Sequence, residues 1–225
     1  MNKRHTDFIP ANESALFITV FDWYVRNLFW RRFKSVKLLQ AYEPSSVSKT
    51  IYYINHSSWW DGLIPFLLNQ KILKQNARAI MEDKQMRRHT FFSKIGAFSV
   101  NLDDPRKSIK SLRYAVQSME RDKASLFIYP EGEIVPFSTE VPNFKKGLGW
   151  LSKQCPNVDV VPVGVYIHTS YSDKPELAIS IGEPVTEDRT QPADRLNDLY
   201  ASRLQNILAN LVNSVHEDQK NFIRI

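Results

Sequence analysis

The sequence predicts an α/β protein in which helices flank a mixed central sheet, with an N-terminal amphipathic helix at a membrane interface. From residue 50 onward, short apolar segments alternate with longer amphipathic ones, and this alternation is typical of layered α/β folds. The chain has 225 residues, of which 43% are hydrophobic and 24% charged, as in folded globular proteins. We therefore expect an N-terminal helical appendage, residues 1–49, followed by an α/β domain, residues 50–225.

Residues 14–33 are predicted to form the N-terminal helix. Its apolar face consists of Phe17, Phe21, Tyr24, Val25 and Leu28, and its polar strip of Thr19, Asp22 and Arg26. Trp23, Trp30 and the cations that follow are typical of a helix lying in a membrane interface, but an ordinary helix packed on the core shows the same pattern. Charges interrupt the apolar run, so no transmembrane helix is predicted. We expect a peripheral or monotopic protein on the cytoplasmic face of a membrane.

The predicted elements of the α/β domain follow a polar loop at residues 44–49. Strands are predicted at 50–55, 77–81, 96–100, 125–129, 158–166 and 177–181, and helices at 61–73, 105–121, 144–154 and 190–216. Asp103 or Asp104 is expected to cap the helix that begins with Pro105. Pro162 cannot donate a backbone hydrogen bond, so its strand is predicted to be an edge or irregular strand.

Basic side chains are concentrated in the first half of the chain. Residues 1–113 carry 19 basic and 9 acidic side chains, whereas residues 114–225 carry 11 and 15. This imbalance indicates a membrane surface, a phosphate-bearing ligand, a nucleic acid or only a solvated face. No nucleic-acid-binding or nucleotide-binding motif accompanies it, so we predict no nucleic-acid partner. The single cysteine, Cys155, suits a reducing compartment, and the histidines lack metal-ligand spacing, so no metal site is predicted.

The candidate catalytic pair, His56 and Asp61, follows the first predicted strand of the domain. On one continuous helix the two side chains would lie about 140° apart. They can meet only if His56 lies in the loop and Asp61 in the first helical turn, where Ser58 has capping-box spacing to Asp61. The carboxylate would then hold one imidazole nitrogen and leave the other as a free base. A purely structural hydrogen bond is the alternative.

Three further segments follow this pair in order. They are Tyr129-Pro130-Glu131-Gly132, Phe144-Lys145-Lys146-Gly147 and Val161-Pro162-Val163. Together with His56-(four residues)-Asp61, they resemble the H-x4-D, (F/Y)-P-E-G, F-K-x-G and V-P-V motifs of the glycerolipid acyltransferase family, whose best-known members acylate lysophosphatidate. The resemblance spans about residues 50–185.

The resemblance implies transfer of a fatty acyl group from acyl-CoA or acyl carrier protein to a hydroxyl of a lipid acceptor at a membrane surface, without a cofactor. His56 would be the general base and Asp61 would orient it, while backbone N–H groups at the helix start would stabilise the oxyanion. The acceptor site would be shaped by Tyr129, Pro130, Glu131 and Gly132. A non-catalytic lipid-binding protein is the less favoured alternative.

The sequence departs from the family's pattern at two arginine positions that are associated with the acceptor's phosphate. Leu102 and Ile134 stand in those places, and Glu133 adds a negative charge. Cations that could compensate are Arg106, Lys107, Lys110, Arg113, Lys145 and Lys146. A lysophosphatidate-like acceptor therefore stands beside a second hypothesis, an uncharged or zwitterionic head group such as that of a glycolipid, an amino-acid lipid or a carotenoid glycoside.

Overall fold

Eight strands form one mixed sheet in the computed structural model, which describes residues 8–169, 172–217 and 221–225. The remaining residues, including 1–7 of the predicted appendage, lie outside this description. The strands are β1 (Ser35–Gln40), β2 (Thr50–Ile54), β3 (Asn76–Glu82), β4 (Ala97–Val100), β5 (Ala124–Ile128), β6 (Asp159–His168), β7 (Glu176–Ile181) and β8 (Ile223–Arg224). Their spatial order is β4-β3-β5-β2-β6-β7-β1-β8. The predicted mixed α/β architecture is confirmed.

Helices cover both faces of the sheet. They are α1 (Ala15–Arg32), α2 (Ile64–Leu68), α3 (Asp83–Arg88), α4 (Pro105–Ser118), α5 (Gly147–Gln154) and α6 (Ala193–His216). Side chains of β2 alternate between two buried cores, because successive residues of a strand point to opposite faces. Tyr52 and Ile54 pack with α1 and α2, whereas Ile51 and Tyr53 pack with α4, α5 and α6. Each core therefore binds a helical layer to the sheet.

Strand β2 lies in the middle of the sheet between two parallel neighbours. It pairs in parallel with β5 on one side and with β6 on the other. The carboxyl ends of the three strands consequently lie at one edge of the sheet, where α/β proteins commonly bind ligands. The loops that begin after Ile54 and Ile128 meet at this edge.

Pro162 predicts an edge or irregular strand, and β6 is an internal strand. It pairs in parallel with β2 and antiparallel with β7. The Pro162 carbonyl accepts a 2.9 Å hydrogen bond from the N–H of Gly182, the residue after the end of β7. The N–H and C=O of a strand residue point to the same side. The N–H that Pro162 lacks would therefore point toward the β7 side, at a position beyond the last residue of β7. An internal strand can therefore accommodate this proline.

The predicted helix at residues 61–73 is divided into three short elements. A 3₁₀ turn, Trp59–Gly62, precedes α2, and a π turn, Asn69–Leu73, follows it. Pro65 has no N–H to donate to the Asp61 carbonyl four residues earlier, and the Tyr129 hydroxyl donates to that carbonyl instead. This hydrogen bond joins the start of the helical segment to the residue that follows β5.

Part of the predicted appendage belongs to the sheet. Ser35–Gln40 forms β1, which pairs in parallel with β7 over six residues, and β8 adds an antiparallel pair at the other side of β1. The sequence analysis predicted neither strand. Helix α3 was not predicted either, whereas α4, α5 and α6 begin and end within three residues of the helices predicted at 105–121, 144–154 and 190–216. Asp104 caps α4 by accepting the N–H groups of Arg106 and Lys107.

Helix α1 buries one apolar face and exposes another. Phe21, Val25 and Phe29 are buried against the core, but Tyr24, expected on the same face, is half exposed. The opposite side carries an exposed apolar stripe, which we call the outer stripe: Leu16, Val20, Trp23 and Trp30, at 78%, 58%, 69% and 78% exposure. Among the described helices, none combines the length and apolar character needed to cross a bilayer.

Candidate active site

His56 and Asp61 lie side by side in the loop that follows β2. His56 Nδ1 lies 3.0 Å from Asp61 Oδ2, and the Asp61 side chain is fully buried while that of His56 is 20% exposed. The buried carboxylate accepts a hydrogen bond from Nδ1–H, which leaves Nε2 as the basic nitrogen. Nε2 bonds to none of the described residues, and His56 lines a cavity of about 320 Å³. The loop geometry therefore brings the predicted pair together at an open cavity.

Asp61 also holds the loop that carries His56. Its Oδ2 accepts the backbone N–H groups of Ser57 and Ser58, both at 2.7 Å, and its Oδ1 accepts the Ser58 hydroxyl at 2.8 Å. These bonds fix the carboxylate and, through it, the orientation of the imidazole. Two amides near the helix start, where stabilisation of an oxyanion was expected, are thus already engaged by Asp61.

Tyr129 packs against the imidazole of this pair. Its ring centroid lies 4.5 Å from that of His56, at an interplanar angle of 32°. Its hydroxyl donates a hydrogen bond to the Asp61 carbonyl. Burial, together with the nearby Asp61 carboxylate, raises the pKa of Tyr129 well above its usual value, so the phenol stays neutral and keeps its proton for this bond. Tyr129 therefore contacts the candidate catalytic pair and is not among the residues that line the cavity.

The loop after β5 holds the backbone of His56. Glu131 Oε2 accepts the His56 N–H at 2.6 Å, and the His56 carbonyl accepts the Val135 N–H at 2.8 Å. Burial raises the pKa of Glu131, an effect that the hydrogen bond from His56 partly offsets. Both polar groups of the His56 main chain are thus bonded to the loop that contains the Pro-Glu-Gly segment.

Asn55 is a positioning residue that the sequence analysis missed. Its buried amide donates to the Val165 carbonyl at 2.9 Å and accepts the Val165 N–H at 2.8 Å. The side chain thereby imitates a strand neighbour and closes the end of β2 against β6. An asparagine directly before the histidine at a strand end was the available signal.

The cavity beside His56 is formed mainly by residues 131–145. Its lining is Asn55, His56, Ser57, Glu131, Glu133, Val135, Pro136, Phe137, Ser138, Glu140, Val141, Pro142, Asn143, Lys145 and Leu208. Gly132 turns the chain at φ +75°, and a Cβ there would lie 2.9 Å from Lys145 Nζ. Glycine is needed at this position because an L side chain would meet both the strained backbone and the lysine.

The cations proposed from sequence separate in the structure. Lys145 lines the cavity, whereas Lys146 is exposed and pairs with Asp194 at 3.3 Å. Arg106 lies in the first turn of α4 and is not among the lining residues. Pro130 is buried, and its carbonyl accepts the Lys145 N–H at 2.8 Å, so it shapes the loop from behind the cavity.

The sequence analysis did not place Glu140 in the site. Glu133 and Glu140 both line the cavity, but Glu140 lies eight residues after the end of the Pro-Glu-Gly segment in a loop without repeating structure. Its position follows from the path of residues 133–143, which is determined by tertiary contacts such as the Val135–His56 bond. Within the described residues, no group of three or more histidine, cysteine or acidic side chains has a metal-binding arrangement.

Comparison with solved structures supports this fold. The chain is similar to the 1-acyl-sn-glycerophosphate (LPA) acyltransferase PlsC from Thermotoga maritima, with 17% sequence identity and a TM-score of 0.61. The alignment covers 86% of this chain and 79% of that chain. Comparison with curated protein sequences gives no match.

A family model described as Acyltransferase matches residues 32–166, which is more than half of the chain. The matched segment contains His56, Asp61 and Glu131, and it begins just before β1. The chain is therefore an acyltransferase enzyme and belongs to the Acyltransferase family.

Proposed function

We propose that this protein transfers a fatty acyl group from the thioester of acyl-CoA or acyl carrier protein to a hydroxyl of a membrane lipid. The observation that carries the proposal is the buried Asp61 carboxylate 3.0 Å from His56 Nδ1, with the same imidazole lining a cavity. This arrangement supplies an oriented base at a place where a hydroxyl can enter. A purely structural hydrogen bond would not need an imidazole open to a cavity.

The reaction requires one base and no covalent enzyme intermediate. His56 Nε2 takes the proton of the acceptor hydroxyl as that oxygen attacks the thioester carbonyl. The carbon–sulfur bond then breaks, and the imidazolium returns the proton to the departing thiolate. Asp61 stabilises the imidazolium while it exists. General base catalysis of this kind contributes about 10²- to 10⁴-fold in rate, and the mechanism uses no metal or cofactor.

Helix α1 supports a position at a membrane surface. The outer stripe presents four apolar side chains to solvent, two of them tryptophans, and Arg31 and Arg32 follow in the last turn. Such a face suits the boundary between lipid head groups and acyl chains. The buried side of α1 reaches the site, because Phe29 and Phe33 contact Trp60, the neighbour of Asp61, with ring centroids 5.5 and 4.9 Å away. The single cysteine favours the cytoplasmic face.

Two acceptor classes follow from different observations. The similar PlsC structure is that of a 1-acyl-sn-glycerophosphate acyltransferase, which suggests an acylated glycerol phosphate as acceptor. The cavity walls favour an acceptor without a phosphate, because Glu133 lines the cavity and Leu102 and Ile134, which stand in the expected arginine positions, do not. Arginine is the natural bidentate partner of phosphate, and none lines this cavity among the described residues.

Mass spectrometry of lipids provides the test. Purified protein is incubated with a total membrane lipid extract and an acyl thioester that carries an isotope label. Both CoA and carrier-protein thioesters are tested as donors. We expect a labelled O-acyl lipid whose formation depends on His56. Absence of any labelled lipid with either donor would refute the proposal.

A further inference from the structure

A second cavity, of about 390 Å³, lies where the end of α1 meets the amino end of β1. We call it the basic pocket, because four basic side chains and no acidic side chain of the described residues line it: Arg26, Lys34, Lys71 and Arg224. Most of its other lining is apolar and includes the buried side chains of Phe29, Phe33, Val36 and Leu67. The basic pocket shares no lining residue with the cavity beside His56.

Two of the four cations, Arg26 and Lys71, lie close enough to affect each other. Asp22 pairs with Arg26 at 2.8 Å, but Lys71 forms no ion pair with any described residue. Burial and the charge of Arg26 lower the pKa of Lys71, and Asp22 opposes this effect. An anion bound beside these two side chains would stabilise the charge of Lys71.

The other two cations, Lys34 and Arg224, are neighbours at the amino end of β1. The guanidinium of Arg224 donates a 3.5 Å hydrogen bond to the Lys34 carbonyl. Glu176 lies 4.0 Å from the Lys34 ammonium, but it already accepts hydrogen bonds from Ser35 at 2.9 Å and Lys37 at 3.2 Å. The basic pocket therefore keeps a positive charge that attracts an anion.

The basic pocket opens beside the surface that is proposed to face the membrane. Trp30, which is 78% exposed, belongs both to the outer stripe and to the pocket lining. Strand β1 is parallel to β7, β7 is antiparallel to β6, and β6 is parallel to β2. The amino end of β1 therefore lies toward the edge of the sheet at which β2 ends and His56 follows. A lipid held in the basic pocket would orient this edge toward the bilayer.

We propose that the basic pocket binds one anionic phospholipid of the bilayer surface. Its cations contact the lipid phosphate, since basic pockets next to a membrane suit anionic head groups. Its apolar floor contacts the upper part of an acyl chain, which a free phosphate ion would leave exposed to water. This lipid is not the acyl acceptor but holds the protein on the membrane. The inference rests on the proposed position at a membrane surface and goes beyond the acyl transfer itself.

Binding to two kinds of vesicle provides the first test. One kind is phosphatidylcholine alone, and in the other phosphatidylglycerol replaces part of it, both at physiological salt. The double variant Lys71→Gln with Arg224→Gln should lower the preference for the anionic vesicles by about 5- to 20-fold.

The matched control is Arg195→Gln with Arg203→Gln. It removes the same charge from exposed positions of α6, which packs on the other face of the sheet from α1. It should lower the preference by less than about twofold. Equal losses in the two double variants would show diffuse attraction by the net charge and would overturn the inference.

Calorimetry with dihexanoyl-phosphatidylglycerol and, separately, inorganic phosphate tests the identity of the ligand. The short-chain lipid should bind at one saturable site and at least about fivefold more weakly to the Lys71→Gln, Arg224→Gln variant. Inorganic phosphate that binds as tightly as the lipid, or lipid binding that is unchanged in this variant, would overturn the inference. Neither measurement involves an acyl donor, so a protein that binds the lipid but transfers no acyl group would refute the proposed function alone.

Discussion

Glu131 accepts a 2.6 Å hydrogen bond from the backbone N–H of His56, although 75 positions separate the two residues in the sequence. The bond joins the loops that follow two neighbouring parallel strands, β2 and β5. A carboxylate acceptor makes this a charge-assisted bond, stronger than an ordinary backbone bond. Glu131 of the Pro-Glu-Gly segment therefore holds the backbone of the candidate catalytic histidine in addition to lining the cavity.

Two substitutions of Glu131 distinguish its hydrogen bond to the His56 N–H from its place in the cavity wall. Glu131→Leu should lower the free energy of unfolding by about 1–3 kcal/mol, because it leaves the His56 N–H without its acceptor. Glu131→Gln keeps a side-chain carbonyl for this bond and should lose less. Urea unfolding and kcat for acyl transfer measure both effects. Equal losses in the two variants would contradict the assigned hydrogen bond.

Asp61→Asn tests the negative charge beside the imidazole. Asparagine can keep its oxygen in the place of Oδ2, which accepts three of the four hydrogen bonds to Asp61, and can donate from its amide to the Ser58 hydroxyl, but it carries no charge. We expect kcat to fall by about 10²-fold or more, because no carboxylate then stabilises the imidazolium that forms on His56. The pH dependence of kcat should change as well. An unchanged kcat would show that Asp61 serves only the fold.

The outer stripe of α1 should govern binding to lipid surfaces. Replacing Trp23 and Trp30 with serine removes two exposed apolar side chains and should weaken binding to vesicles of anionic phospholipid at least about tenfold. Thermal unfolding should change little, because both side chains are exposed. Ile109→Ser, at an exposed apolar residue on α4, is the matched control. If the double variant binds vesicles as well as the unchanged protein in a sedimentation assay, the membrane-binding surface lies elsewhere on the protein.

Two partly buried carboxylates should make the fold sensitive to acid. Burial pushes the pKa of Glu13 and Glu176 upward, but hydrogen bonds from Arg78 to Glu13, and from Ser35 and Lys37 to Glu176, outweigh it and hold both pKa values below the usual 4.5. A lowered pKa contributes stability that is complete above pH 4.5 and is lost as pH falls through the folded-state value. Urea unfolding at neutral pH and below pH 4.5 measures this loss. Glu176→Gln should reduce this loss of stability in acid. An equal loss in that variant and in the unchanged protein would contradict the assignment for Glu176.

The contact between His56 and Asp61 could be predicted because it is local. His56 and Asp61 are five residues apart, and the only way to bring them together was a strand end followed by a helical turn. The division of the helical segment that follows them could not be predicted in the same way. Pro65 alone permits a first-turn position in a longer helix, and the Asp61 carbonyl accepts its hydrogen bond from Tyr129, which follows a distant strand.

Long-range features account for what the sequence analysis missed. Strand β1 was hidden because Ser35–Gln40 follows a helix directly and carries Lys37 among its apolar residues. Its assignment depends on pairing with β7, about 140 residues later. Pro162 predicted an edge or irregular strand, because the position at which β7 ends cannot be read from the sequence of β6. Arg106 and Lys146 were grouped with Lys145 on chemistry, but the directions of α4 and α5 separate them from the cavity.

Comparison of His56→Ala with Ser57→Ala tests the central claim most directly. The two residues are adjacent and both line the cavity, but only the imidazole is proposed to take the acceptor's proton. Steady-state release of free thiol from an acyl thioester, measured with a saturating acceptor, should fall by about 10²- to 10⁴-fold in His56→Ala. It should change by less than about tenfold in Ser57→Ala, with both variants folded by circular dichroism. Acyl transfer that survives in His56→Ala, or that disappears only in Ser57→Ala with an acyl group trapped on the protein, would contradict direct transfer by a histidine base.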